Sequence, residues 1–265
     1  MTLILALSAA ARAEDSAFTG AQAVAAEQPE THVTGELGGS YASGNANYYT
    51  VNGLLNASHQ VKKNKISGVA GVNVGGAKVT DLDGDGVADV APADVPLTEN
   101  ARRLYADLRY DRFLSDKDAV YGLAGVFHDP FLGYDTRSHE QVGYARLLVK
   151  TERTELRGEL GADLAQENYV EGIDPASANV LAARVLIGLT QKFNDQVSFS
   201  DTFETYENVL DTDDLRVLNT AALTSTLSGR FSIKLSHGLL FDNVPVAGLR
   251  KFDQVPMVTL VATLL

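Results

Sequence analysis

The sequence predicts an all-β fold: a single up-and-down antiparallel transmembrane β-barrel of about 12 strands. Three observations carry that prediction. Apolar and polar residues alternate over segments of about ten residues, longer than an ordinary strand and long enough to cross a bilayer at a tilt. The connections between these segments are alternately tight and long, as in a barrel with one plain and one elaborated end. The mean hydropathy is −0.05, and no apolar run approaches the roughly 20 residues of a spanning helix. A chain of this kind can satisfy its backbone in lipid only as a closed barrel.

The chain has 265 residues. Residues 1–13 read as a secretory signal, with an apolar core at Leu3-Ile4-Leu5-Ala6-Leu7 and a small-x-small site at Ala11-Arg12-Ala13. Residues 14–32, rich in Ala, Gln and Glu without a period, read as a flexible N-terminal periplasmic segment, and residues 33–265 as the barrel. Within it the strands are expected at 33–43, 48–61, 66–80, 102–114, 118–129, 138–150, 154–168, 180–193, 197–207, 215–229, 231–242 and 251–265. The segment after Ala101 shows the alternation best. Leu104, Ala106, Leu108 and Tyr110 share one face, and Arg103, Tyr105, Asp107, Arg109 and Asp111 the other. Phe113-Leu114-Ser115-Asp116 and Phe193-Asn194-Asp195 repeat a hairpin pattern that sets an aromatic residue before an Asp turn. An even strand count puts both termini at one end, the periplasmic one.

A net charge of −12 argues against a nucleic-acid partner, and the absence of cysteine excludes a disulfide scaffold or a thiolate metal site. The longer connections with their strand ends (81–99, 129–137, 167–178, 204–216 and 242–251) hold 17 acidic residues against Arg137, Arg216, Arg250 and Lys251. The tight turns carry Lys62, Lys63, Lys117 and Arg153 instead. This asymmetry predicts an acidic outer rim and a plain, mildly basic periplasmic end.

Two groups of residues are candidates for function. Asp81, Asp83, Asp85 and Asp89, with Gly86 at the sixth position and the Val87 carbonyl at the seventh, follow the first part of a calcium-loop pattern. A hard cation needs several oxygens, and a tight turn brings alternate carboxylates together. The twelfth position is Pro92 rather than the bidentate Glu of that pattern. Weak Ca2+ binding and a merely solvated acidic loop both stay open. The second group is the charge expected in the lumen: Arg103, Asp107, Arg109, Asp111, Glu140, Arg146, Arg157, Glu159, Asp163 and Arg184. These could line a narrow polar pore or form an ion-paired plug. No enzyme is expected. Ser138-His139, Ser236-His237 and His128-Asp129 are chain neighbours on strands, so their side chains point to opposite faces.

Three stretches resemble a known family. They are Tyr110-Asp111-Arg112-Phe113-Leu114-Ser115-Asp116 with Tyr121-Gly122-Leu123-Ala124-Gly125, Thr151-Glu152-Arg153-Thr154-Glu155-Leu156-Arg157, and Ser43-Gly44-Asn45-Ala46-Asn47. The family is a bacterial outer-membrane β-barrel domain of unknown function, often labelled a salt-induced outer membrane protein. The resemblance runs over about residues 33 to 265 and rests on turn chemistry. It implies a Gram-negative outer-membrane location and no established activity. The barrel itself is expected to be a monomer whose partners are outer-membrane lipid and, during biogenesis, the barrel-insertion machinery. The chain departs from the usual terminal aromatic by ending in Leu265. The expected function is therefore a narrow polar pore or an envelope-integrity barrel under salt stress. The alternatives are an exported soluble β protein that binds an apolar ligand inside, or an outer-membrane hydrolase.

Overall fold

In the computed structural model, residues 26–42, 48–78, 96–247 and 249–265 are described. They form a closed antiparallel barrel of 12 strands, each bonded to its neighbours in sequence, with the first strand meeting the last. The strands are β1 (Ala26–Ala42), β2 (Tyr48–Lys62), β3 (Asn64–Ala77), β4 (Thr98–Phe113), β5 (Asp118–Asp129), β6 (Tyr134–Lys150), β7 (Thr154–Tyr169), β8 (Ser177–Lys192), β9 (Val197–Asn208), β10 (Leu215–Thr226), β11 (Phe231–Asp242) and β12 (Phe252–Thr263). The expected strands are all present, mostly within two to four residues of their expected ends. The largest difference is at β1, which begins at Ala26. Residues 30–32 pair with residues 58–60 of β2, so the part of the N-terminal segment that is described is strand rather than flexible chain. The signal segment 1–13 lies outside the described residues, as does the acidic loop 81–89.

The barrel is apolar outside and polar inside. Leu108, Leu160 and Val142 are 60%, 62% and 66% exposed on the outer wall, while Arg184 and Glu159 in the lumen are 1% exposed. Water does not tolerate an apolar wall of this extent, and hydrocarbon does. Tyr110, Tyr144, Phe193 and Phe231 stand exposed near the tight-turn end, where aromatic side chains suit a membrane interface.

The tight turns are closed by local hydrogen bonds. Ser115 Oγ accepts from the Lys117 and Asp118 amides at 3.2 Å, and Asn194 Oδ1 accepts from the Gln196 and Val197 amides at 2.8 Å. At the other end two connections turn inward. A 3-10 turn, Pro130–Leu132, is capped by Asp129 and ends at Gly133 with φ 83°. A Cβ at Gly133 would lie 2.7 Å from Val246 of the connection before β12, so glycine there serves both the backbone angle and the packing.

The seam that closes the barrel is short. Among the described residues, β1 and β12 pair through residues 34–38 and 259–263, with amide bonds between Val33 and residues 264–265 just beyond. Residues 252–258 of β12 pair with β11 but have no register partner on β1. The β11–β12 register runs unbroken through Pro256, opposite His237. Proline has no N–H to give, and an unbroken register fits a nitrogen aimed at the β1 edge.

Candidate functional site

The inward faces of β4 to β11 build a chain of ion pairs through the lumen. Arg109 Nη2 pairs with Asp111 Oδ1 at 2.9 Å and Arg109 Nη1 with Glu159 Oε2 at 3.1 Å. Arg184 Nη1 reaches the same Glu159 oxygen at 2.7 Å and donates to the Tyr121 hydroxyl at 2.6 Å, and its Nε donates to Glu204. The Arg109 guanidinium lies 4.0 Å from the centroid of the Tyr121 ring, a cation–π contact that fixes its plane. Nearer the long-connection end, Glu167 accepts from Arg137 at 2.8 Å and from Arg216 at 2.5 Å. Arg216 also faces Asp214 and Asp242 at 3.3 and 3.4 Å. On the far wall Lys234 of β11 pairs with Glu36 of β1 at 2.6 Å, across the inner face of β12.

Between these groups sits His139. Its Nε2 is 3.0 Å from Asp107 Oδ1 and its Nδ1 3.2 Å from Asp163 Oδ1. Gln141 Nε2 donates to Asp163 at 2.9 Å and to the Tyr206 hydroxyl at 3.1 Å. Glycine makes the room: a Cβ at Gly125 would lie 1.8 Å from Asp107 Oδ1 and 2.3 Å from His139 Nε2. Each of these buried groups is held against an opposite charge or a hydrogen-bonding group, as burial of polar side chains requires.

Of the lumen charges expected from sequence, the structure buries Arg103, Asp107, Arg109, Asp111, Arg157, Glu159, Asp163 and Arg184 inside. It puts Glu140 and Arg146 on the outer wall, both exposed. The reason is the parity of β6. His139, Gln141 and Ala145 point inward, so the even-numbered residues between them point out. Arg146 lies near the tight-turn end, 3.1 Å from Asp118. The acidic rim is also smaller than the sequence suggests. Asp129, Glu167 and Glu204 are strand-end acids with at most 1% exposure, and they serve the interior network. Arg137, His139, Gln141, Glu167, Glu204 and Arg216 are network members that the sequence reading did not select, although their parity within each strand marks them.

The long-connection end carries a shallow vestibule. Val246 packs into a cluster with Phe127, Tyr134, Val69 and Tyr105. The connection before β12 is tied down where Asn243 donates to the Asp213 carbonyl at 2.9 Å and Lys251 donates to Asn243 Oδ1 at 3.0 Å. A cavity of about 60 Å³ lies beneath it, reached by Arg103, Arg137 and Arg216 from below and by Arg250 and Lys251 from the rim.

Comparison with known proteins gives a family and a fold. A family model described as "Protein of unknown function, DUF481" matches residues 35–264. No curated protein matches the chain. Among solved structures, the NanC porin is similar with a TM-score of 0.50 at 12% identity, over 89% of this chain and 100% of that one. The translocator domain of the autotransporter NalP from Neisseria meningitidis aligns with a TM-score of 0.47 at 12% identity, over 94% and 91%. The KdgM porin in complex with disordered oligogalacturonate aligns with a TM-score of 0.43 at 6% identity, over 88% and 98%. At such identities the likeness is one of fold.

Proposed function

We propose, for a chain that belongs to the DUF481 family of proteins of unknown function, that it is an integral outer-membrane barrel whose lumen is closed by ion pairs and whose service is to the integrity of the envelope. The observation that carries this reading is burial around the ring of inward-facing side chains. Asn73 on β3, Arg109 on β4, Glu159 on β7, Arg184 on β8, Thr220 on β10 and Thr259 on β12 all have exposures of 3% or less. A water-filled channel would leave such groups accessible. Outer-membrane placement is supported by the apolar wall and by strands of 12 to 17 residues, because single-chain barrels of even strand number belong to that membrane. The tight-turn end, with both termini, then faces the periplasm. The resemblance to salt-induced outer membrane proteins supports a role under ionic stress. The barrel interior suits such a role, since pairs sealed from solvent are screened by salt far less than exposed pairs.

Planar-bilayer recording tests the closed lumen. The wild-type barrel is expected to insert without steady conductance, while Arg184→Ala with Glu159→Ala admits ions. A wild-type barrel that conducts steadily at moderate salt is instead a narrow pore, and the proposal fails. A protein that stays dispersed and folded without detergent would refute the membrane reading itself.

A further inference from the structure

The vestibule holds a cavity that a closed lumen does not need. Its volume is about 60 Å³. One water takes roughly 10–15 Å³ on the same scale, so the space suits about four or five non-hydrogen atoms. Its walls are of two kinds. Leu218, Leu240 and Val246 form an apolar side. Arg137, Arg216, Arg250 and Lys251 form a cationic side, with Asp242 and Asp253 as the acids in the wall. Glu167, which pairs with both Arg137 and Arg216, is not part of that wall. It anchors the two guanidinium groups at the base of the cavity, and Arg250 and Lys251 add the cations of the rim.

We propose that this cavity is a binding site for a small monocarboxylate with a short apolar tail, of the size of acetate or propionate. The planar carboxylate matches the planar donor fork of a guanidinium. The tail would lie against Leu218, Leu240 and Val246, where an ion without one gains nothing. Inorganic phosphate is of similar size, but it would lose hydration on the apolar side without replacement. A neutral molecule would gain no charge-assisted contact from Arg250 and Lys251 at the rim. The site does not depend on whether the lumen conducts.

The test is calorimetric titration of the full barrel, folded in detergent at fixed ionic strength, with sodium propionate, its neutral isostere propionamide, and sodium phosphate. Propionate is expected to bind saturably at one site per barrel, propionamide and phosphate far more weakly. Arg250→Gln with Lys251→Gln changes only rim residues, and heat-modifiable gel migration checks that the variant is folded. It should weaken propionate by roughly tenfold or more, as expected for lost charge-assisted hydrogen bonds. Leu249→Glu, which adds a carboxylate to the cavity wall, should displace the ligand while leaving the rim cations in place. Equal binding of propionamide, equal or tighter binding of phosphate, unchanged affinity in the Gln double variant, or no saturable heat with wild type would each overturn the proposal.

Discussion

Removing Arg184 is the most direct test of a sealed ionic interior. Its side chain has no exposed area, and neither do those of its partners Glu159 and Glu204. In Arg184→Met, Glu159 keeps Arg109 at 3.1 Å, so that carboxylate remains paired. Among the described residues, Glu204 then keeps the neutral Tyr206 hydroxyl, which donates to it at 2.8 Å. One buried charge is therefore stranded rather than two. Stranding a buried charge costs about 3–5 kcal/mol, whereas replacing a whole buried pair by apolar side chains is often neutral. Arg184→Met should lose about 3–5 kcal/mol, and Arg184→Met with Glu204→Met should recover most of it. The chain contains no tryptophan, so urea unfolding in phosphatidylcholine vesicles is best followed by far-ultraviolet circular dichroism and by heat-modifiable gel migration. A loss below about 1 kcal/mol in the single variant is what a solvent-exposed pair would give. That outcome would mean that water reaches Arg184, and the argument for a closed lumen would fall with it.

The other predictions address the site and the outer wall. Gly125→Ala should destabilise the barrel by about 1–3 kcal/mol, the range for overpacking, and should shift the His139 ring resonances in NMR spectra; unchanged resonances would mean that the His139–Asp107 contact is absent. Glu140→Leu should be neutral or stabilising in vesicle unfolding, because the carboxylate is on the outer wall, while Glu159→Leu should be strongly destabilising; equal losses would refute the parity assigned to β6. A calcium site in the loop at 81–89 would give heat on calorimetric titration of the wild type that Asp83→Ala and Asp85→Ala remove. Equal heats in all three would eliminate a cation site there.

Strand order and much of the interior are readable because β4 and β7 separate their faces cleanly. Leu104, Ala106 and Leu108 contrast with Arg103, Asp107 and Arg109, and hydropathy alone assigns each to its side. β6 lacks that contrast. Ser138, Glu140, Val142 and Tyr144 face outward and His139, Gln141, Gly143 and Ala145 inward, so polar and small residues occur on both faces. Only the register with β5, where Ala124 lies opposite Glu140 and Gly125 opposite His139, decides the matter. The reach of the connection before β12 was not readable either. Val246 resembles any loop valine until Tyr134 and Phe127, more than a hundred residues earlier in the sequence, are brought beneath it. The acids near strand ends are hidden from sequence for a related reason: Glu167 and Glu204 lie near long connections, but their strands carry them inward to meet Arg137 and Arg184.

The short seam makes the barrel mechanically uneven. One half of the β1–β12 joint is paired through residues 34–38 and 259–263 and stapled by Lys234 and Glu36, while along residues 252–258 no register partner on β1 occurs among the described residues. Unpaired backbone is costly in hydrocarbon. Pro256 lowers that cost by taking one donor out of the edge and also keeps a foreign strand from pairing there. Under load the wall should therefore part along this line first, from the long-connection end downward, with the Lys234–Glu36 pair as the point where the tear stops. Closing the cylinder in the opposite sense would be a short zip from the tight-turn end.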